Sequence, residues 1–267
     1  MSDTPTLTAK PLALVTGASS GIGRAFALRL AALGYDLIVV ARRQERLEEL
    51  VSALPQVSVR PLVADLATRA GIDAVANACA TEPLTLLVNN AGVAHYMPFT
   101  DLPTEKASEL LHVKVLAPTL LTHAAVPGML ARGGGTVINV AGMLAYSGPA
   151  TLEQLPVRRA VYTGTLAHLV AFSQTVHEEL KGQGLKVQVL CPGVVATEFH
   201  ERQGMDLSAV PRMSADDVVS ASLRGLALGE VVCAPGVEHA ELLGAAASAS
   251  LAAFAGQSPK LAQRYSE

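Results

Sequence analysis

The sequence predicts a doubly wound α/β fold, a mostly parallel seven-stranded sheet with helices on both faces. Three observations carry that expectation. Short β-branched runs recur between longer amphipathic stretches, the runs are apolar on both faces rather than alternating, and strand and helix alternate along most of the chain.

The elements follow in order. Leu12–Thr16 reads as a strand and Gly21–Leu33 as its helix; Asp36–Ala41 leads to Arg43–Ala53, and Val57–Val63 to Arg69–Ala80. Leu84–Asn89 precedes the long helical stretch Pro103–Leu130, Thr136–Val140 precedes Val161–Gly182, and Lys186–Cys191 precedes Ala215–Leu228, with Val231–Ala234 as the last strand. Two segments, 141–159 and 198–212, carry loop signals without a strong period. In this fold both lie at the carboxyl ends of strands, where ligands bind, so they are the expected substrate walls.

The totals agree with one large domain over residues 1–267, with a core at about 10–235 and a C-terminal helix at about 238–255. Half of the 267 residues are hydrophobic and 16% are charged, enough to build a large core and far from a disordered composition. A formal net charge of −3 offers no positive field to nucleic acid or anionic membrane, so neither is an expected partner. Leu242–Ala255 is apolar and Ala-rich but falls short of the roughly 20 residues that span a bilayer, and reads as a packed or subunit-interface helix. Cys79, Cys191 and Cys233 are odd in number and widely spaced, which suggests neither a disulfide framework nor a zinc site and fits a reducing cytoplasm. The polar stretch 1–10 lacks the order of a signal peptide.

Thr16-Gly-Ala-Ser-Ser-Gly-Ile-Gly23 follows the first strand and opens a helix, the setting in which a Gly-rich turn holds phosphate. Gly17 allows the turn, Gly21 lets a pyrophosphate approach the backbone, and Gly23 lets the helix pack closely. Free N–H groups of Ser19, Ser20 and Ile22 and the helix dipole then face the anion. The spacing Thr-Gly-x-x-x-Gly-x-Gly resembles the short-chain dehydrogenase/reductase family, whose fold is Rossmann-type. Asn89-Asn-Ala-Gly92 after the fourth strand resembles that family's NNAG motif, Asp65 matches its adenine-contacting residue, and Pro192, Gly193 and Thr197 match its nicotinamide-holding element. The resemblance covers about residues 10 to 235 and implies that Asn89, Ala91 and Gly92 join the cofactor-binding residues. The second strand ends Val39-Val40-Ala41-Arg42-Arg43, with no acidic residue for a ribose 2′-hydroxyl; Arg42 offers a planar fork to a 2′-phosphate, so NADP(H) is the expected cofactor. Arg43 reads as a solvated charge at a helix start.

The proton-transfer residues are where the sequence departs from the resemblance. Tyr162 matches the family tyrosine and also contacts cofactor there, but Leu166 stands at the lysine position, Gly142 at the serine position and Lys114 at the asparagine position. The interval from Gly142 to Tyr162 is longer than the family pattern, with 152–159 as the insertion, so Ser147 or Thr151 offers a replacement hydroxyl. A neutral tyrosine can still donate a proton to a forming alkoxide, whereas alcohol oxidation needs a tyrosinate that is scarce without a nearby cation. Lys114 is either that cation, reaching the space above Leu166 and lowering the tyrosine pKa, or an exposed or carboxylate-paired helix residue. His95 and Tyr96 read as pocket walls or as oxyanion donors, and the helical histidines have no metal-ligand spacing.

Three functions remain open on these residues. The first is an NADPH-dependent carbonyl reductase using Tyr162 and, in support, Lys114. The others are a catalytically silent NADP(H)-binding sensor or partner subunit, and a non-redox lyase or isomerase. Met143, Leu144, Phe199 and Met205 point to a small apolar carbonyl substrate, and the apolar late helices, like the resemblance, to a homodimer or homotetramer.

Overall fold

The computed structural model describes residues 10–266; the polar stretch before Lys10 lies outside the described residues. Seven parallel strands form one sheet in the order β3-β2-β1-β4-β5-β6-β7: β1 (Leu12–Thr16), β2 (Asp36–Ala41), β3 (Val59–Val63), β4 (Leu84–Asn89), β5 (Gly135–Val140), β6 (Leu185–Leu190) and β7 (Val232–Cys233). The order reverses between β1 and β4, and such a reversal opens a crevice at the carboxyl ends of the two strands.

The pleat divides each strand between two cores. In β2, Leu37, Val39 and Ala41 face one cluster, while Ile38 and Val40 face the other. The first cluster takes in α1 (Gly21–Ala32), α2 (Gln44–Ser52) and α8 (Ala215–Leu228), and the second α3 (Arg69–Thr81) and α5 (Ala117–Ala131). A third, smaller cluster lies beneath the crevice and joins Leu110, Tyr162, Leu166 and Cys191, with α6 (Ala160–Glu179) supplying its middle. The β3 run is the exception to two-faced burial. It pairs only with β2, and Arg60, Pro61 and Val63 are exposed, as suits a proline that has no N–H for a second neighbour.

The long stretch expected over 103–130 is interrupted. Helix α4 (Thr104–Leu111) passes through one π-helical turn, His112–Leu116, into α5. Pro118 has no N–H to return to the carbonyl of Lys114, so the ordinary ladder fails there and the backbone widens. The run Thr104–Ala131 is long and apolar enough to cross a membrane by length and composition alone. Val113, Ala117, Leu121, Ala125 and Met129 are instead buried in the second core. Within the expected loop 198–212 a short helix forms, α7 (Glu198–Glu201), and a parallel bridge between Val195 and Met213 pins the two ends of that loop.

Residues 236–266 form a second compact unit. It contains α9 (Glu241–Ala255), none of whose residues is buried.

Candidate active site

A cleft of about 800 Å³ opens at the β1/β4 reversal. Its floor at one end is the turn between β1 and α1. Gly17 and Gly21 hold left-handed backbone (φ 69° and 53°), which a side chain disfavours. A Cβ on Gly21 would come within 3.0 Å of Thr197 Cγ2, and one on Gly23 would collide with the Gly17 carbonyl and Asn90. Gly23 therefore packs the helix against the turn and does not line the cleft. Ser20 precedes α1 in extended conformation with no side-chain cap, which leaves the first-turn N–H groups free for an anion.

Thr16 ties this turn to β4: its hydroxyl donates to the Val88 carbonyl (3.2 Å) and accepts from the N–H groups of Asn90 (2.9 Å) and Ala91 (3.0 Å). Asn90 completes the clamp by donating to the Thr16 carbonyl (3.0 Å). Asn89 is a correction. Its side chain is buried within the sheet, donating to Asn139 Oδ1 (2.9 Å) and Thr122 Oγ1 (3.1 Å), and Asn139 passes the chain on to Ser173 (2.9 Å). Asn89 thus ties β4 to β5, α5 and α6, and Asn90 is the residue that meets the cleft. Strand alternation was the available signal, since successive residues at a strand end face opposite ways.

The remaining candidates for cofactor binding, Ser19, Ile22, Arg42, Asp65, Ala91, Gly92, Pro192, Gly193 and Thr197, all line the cleft. Arg42 is more than half exposed and loosely held, 3.7 Å from Glu109 and 4.0 Å from Asp65. Arg43 is not the freely solvated charge expected from its position. Its Nη2 donates to Ser19 Oγ (3.0 Å) and to Glu198 Oε1 (2.9 Å) at the edge of the turn.

The other end of the cleft holds Tyr162, Lys114, Gly142 and Leu166 together. Lys114 is 4% exposed and forms no salt bridge among the described residues: its Nζ donates to the Val140 carbonyl at 3.2 Å, one bond for three N–H donors. Room for it depends on Gly92, where a Cβ would come within 2.6 Å of both Nζ and Cε. Burial brings the ammonium down to a pKa of about 8. Tyr162 is also buried, and burial, with Tyr96 adding to it, drives its hydroxyl far above the ordinary tyrosine range. The expectation that Lys114 lowers this pKa is therefore corrected: desolvation dominates at both groups, and the tyrosine is neutral at physiological pH.

Gly142 sits in extended backbone, and a Cβ there meets only Leu166 Cδ1 at 3.5 Å and the Pro192 carbonyl at 3.6 Å. Ser147 is not free to replace a hydroxyl: it donates to the Leu144 carbonyl (2.8 Å) and accepts from Arg159 Nε (3.1 Å). His95 is bonded to Glu109 (2.8 Å), and Tyr96 lies edge-on to Tyr162 with ring centroids 5.6 Å apart. His200, missed in the sequence because the 198–212 segment has no period, stacks on Tyr96 at 6.3 Å. Met143, Leu144, Leu155, Val157, Phe199 and Met205 make this end of the cleft apolar.

A parallel sheet reversing beside an uncapped Gly-rich helix start defines a dinucleotide-binding protein of the Rossmann type. Residues 11–207 match the family model for short chain dehydrogenases, and the chain belongs to that family. It is 32% identical over 218 residues to a very-long-chain 3-oxoacyl-CoA reductase of Pyrenophora tritici-repentis, a match covering 78% of this chain and spanning 62% of that protein's length. Among solved structures it resembles a short-chain dehydrogenase from Sphingobium yanoikuyae in complex with NADPH, with a TM-score of 0.89 at 31% identity over 96% of this chain and 100% of the other. It also resembles the bulky-bulky ketone specific alcohol dehydrogenase of Comamonas testosteroni, with a TM-score of 0.87 at 26% identity over 97% of this chain and 100% of the other.

Proposed function

We propose that this oxidoreductase-family protein reduces an apolar carbonyl compound with NADPH, Tyr162 donating the proton and Lys114 supplying the cation. The observation that carries the reading is the continuity of one cleft, with the glycine turn, Arg42 and Arg43 at one end and Tyr162 with a buried ammonium at the other. The fit to the cofactor rests on the chain's own geometry: a turn that Cβ atoms would fill, first-turn N–H groups without a cap, and two guanidinium groups where β2 ends. The NADPH in the Sphingobium structure and the ketone specificity of the Comamonas enzyme support the same assignment.

When bound, NADPH supplies the hydride to the carbonyl carbon. The chain's own residues handle the oxygen. Tyr162, held neutral by burial, donates a hydrogen bond and then its proton to the developing alkoxide. The Lys114 ammonium, with donors to spare beyond Val140, adds positive potential where that charge forms. Apolar walls at Met143, Leu144, Phe199 and Met205 exclude water and select an apolar substrate. A catalytically silent NADP(H)-binding protein is the second reading, favoured by Leu166, which is buried where the resemblance places a lysine.

The test follows NADPH absorbance against a panel of bulky ketones, aldehydes and 3-oxoacyl thioesters, beside direct titration of NADPH fluorescence. Turnover that falls by roughly 10²-fold or more in Tyr162→Phe, with NADPH binding retained, is the expected result. Binding without turnover across the panel supports the silent reading instead. We also propose a homodimer or homotetramer, on the evidence of α9's exposed Leu242, Leu251 and Phe254, to be checked by light scattering on the purified chain.

A further inference from the structure

An anion already sits at the edge of the glycine turn. Glu198, the first residue of α7, accepts from Arg43 at 2.9 Å, and the same Arg43 nitrogen lies 3.0 Å from Ser19 Oγ. Arg202, one helical turn further on, closes on the same carboxylate oxygen. Burial opposes ionisation of Glu198, but hydrogen bonding with Ser20, Arg43 and Arg202 and the Arg202 charge outweigh it and hold the carboxyl at about 2. The carboxylate therefore remains charged, and it engages the Ser20 hydroxyl and the Arg43 guanidinium, whose same nitrogen also bonds Ser19 Oγ. Those are the donors a dinucleotide phosphate needs, and two anions do not share them without a large repulsion.

The geometry points to Glu198 as an internal competitor of the cofactor, occupying Arg43 and the Ser20 hydroxyl until a dinucleotide phosphate displaces it. This inference rests on the NADP(H) reading above and adds a consequence to it. Phe199 and His200 follow Glu198 in α7 and line the substrate end of the cleft, with His200 stacked on Tyr96 and Tyr96 edge-on to Tyr162. Sheet-type backbone pairing holds the loop that carries them at its ends, through the Val195–Met213 bridge, so a displaced Glu198 takes α7 with it. Cofactor binding then reshapes the substrate wall.

Two measurements on the full chain test this. In calorimetric titration with NADP⁺, Glu198→Gln, which keeps the shape and removes the charge, binds roughly fivefold tighter than the parent, the scale expected for releasing a partly exposed ion pair. The sequence has no tryptophan, so Phe199→Trp places a single emitter on α7. NADP⁺ shifts its emission, and in the double variant with Glu198→Gln most of that shift is present before NADP⁺ is added. Unchanged or weaker NADP⁺ affinity in Glu198→Gln overturns the inference, as does an emission shift that Glu198→Gln leaves untouched. A parent that binds no dinucleotide overturns the cofactor reading as well, whereas a parent that binds normally beside a variant that gains nothing overturns this inference alone.

Discussion

Lys114 shows how one buried charge links sequence, stability and chemistry. Its ammonium is charged at neutral pH in both the folded and the unfolded chain, but burial brings the folded pKa from 10.5 to about 8. The unfolded chain thus holds the proton more tightly, and folding stability rises with pH between about 8 and 10.5, as the folded state sheds a charge it accommodates poorly. Lys114→Met is expected to be more stable than the parent at pH 7 by on the order of 2 kcal/mol, with the difference closing toward pH 10. Paired denaturant titrations at pH 7 and pH 10 measure this, and a difference that does not change with pH rules it out. At this scale the phosphate turn was legible because its residues are contiguous and their spacing is the geometry. Asn89 was misassigned because two adjacent asparagines differ only in which side of the strand end they face. The state of Lys114 was not legible, since it depends on Gly92 and Val140, neither near it in sequence.

At the scale of elements, strand limits followed from composition to within about two residues, the usual margin of boundary definition. The irregular pieces did not. The π-turn had a signal in Pro118, four residues after Lys114, but an unbroken apolar period masked it. The insertion before α6 has no period to read, and beside its own turn bonds one buried side chain ties it down. Arg159, 9% exposed, donates to Ser147 Oγ (3.1 Å) and to the carbonyls of Ser147 (2.8 Å) and Val157 (2.8 Å). These bonds gather residues 147–157 at the start of α6, where Ser147, Leu155 and Val157 form a cleft wall. The positive charge lies at the unfavourable end of the helix dipole, so the carbonyls offset a real penalty. Arg159→Ala strips the Val157 carbonyl of its partner and leaves the Ser147 carbonyl with the Ala150 N–H alone, and is expected to lose about 1–3 kcal/mol. Arg159→Lys restores little of it, because an ammonium cannot span the same acceptors as a planar fork. Thermal melts give the stability, and amide exchange over 147–157 tells whether the loss is confined to the wall; equal loosening throughout the chain contradicts this account.

For the whole molecule, alternating strands and helices constrain topology strongly, because right-handed crossovers keep helices on one face while the chain winds one way, and covering both faces requires the winding to reverse. The reversal falls between β1 and β4 and opens the crevice in which Arg42, Arg43 and the glycine turn converge. A ligand bound only by this converged arrangement must stabilise it by mass action. NADP⁺ at 100 times its Kd is expected to add about 2.7 kcal/mol to the folded state. For a domain of this size that raises Tm by roughly 5–10 °C. NAD⁺ at the same concentration lacks the 2′-phosphate that Arg42 and Arg43 would grip, and is expected to raise Tm by less than half as much. Differential scanning fluorimetry with both dinucleotides over a concentration series reads the difference directly. Equal shifts from the two would remove Arg42 and Arg43 from the 2′-phosphate role while leaving the glycine turn in place, and no shift from either would remove the turn as well.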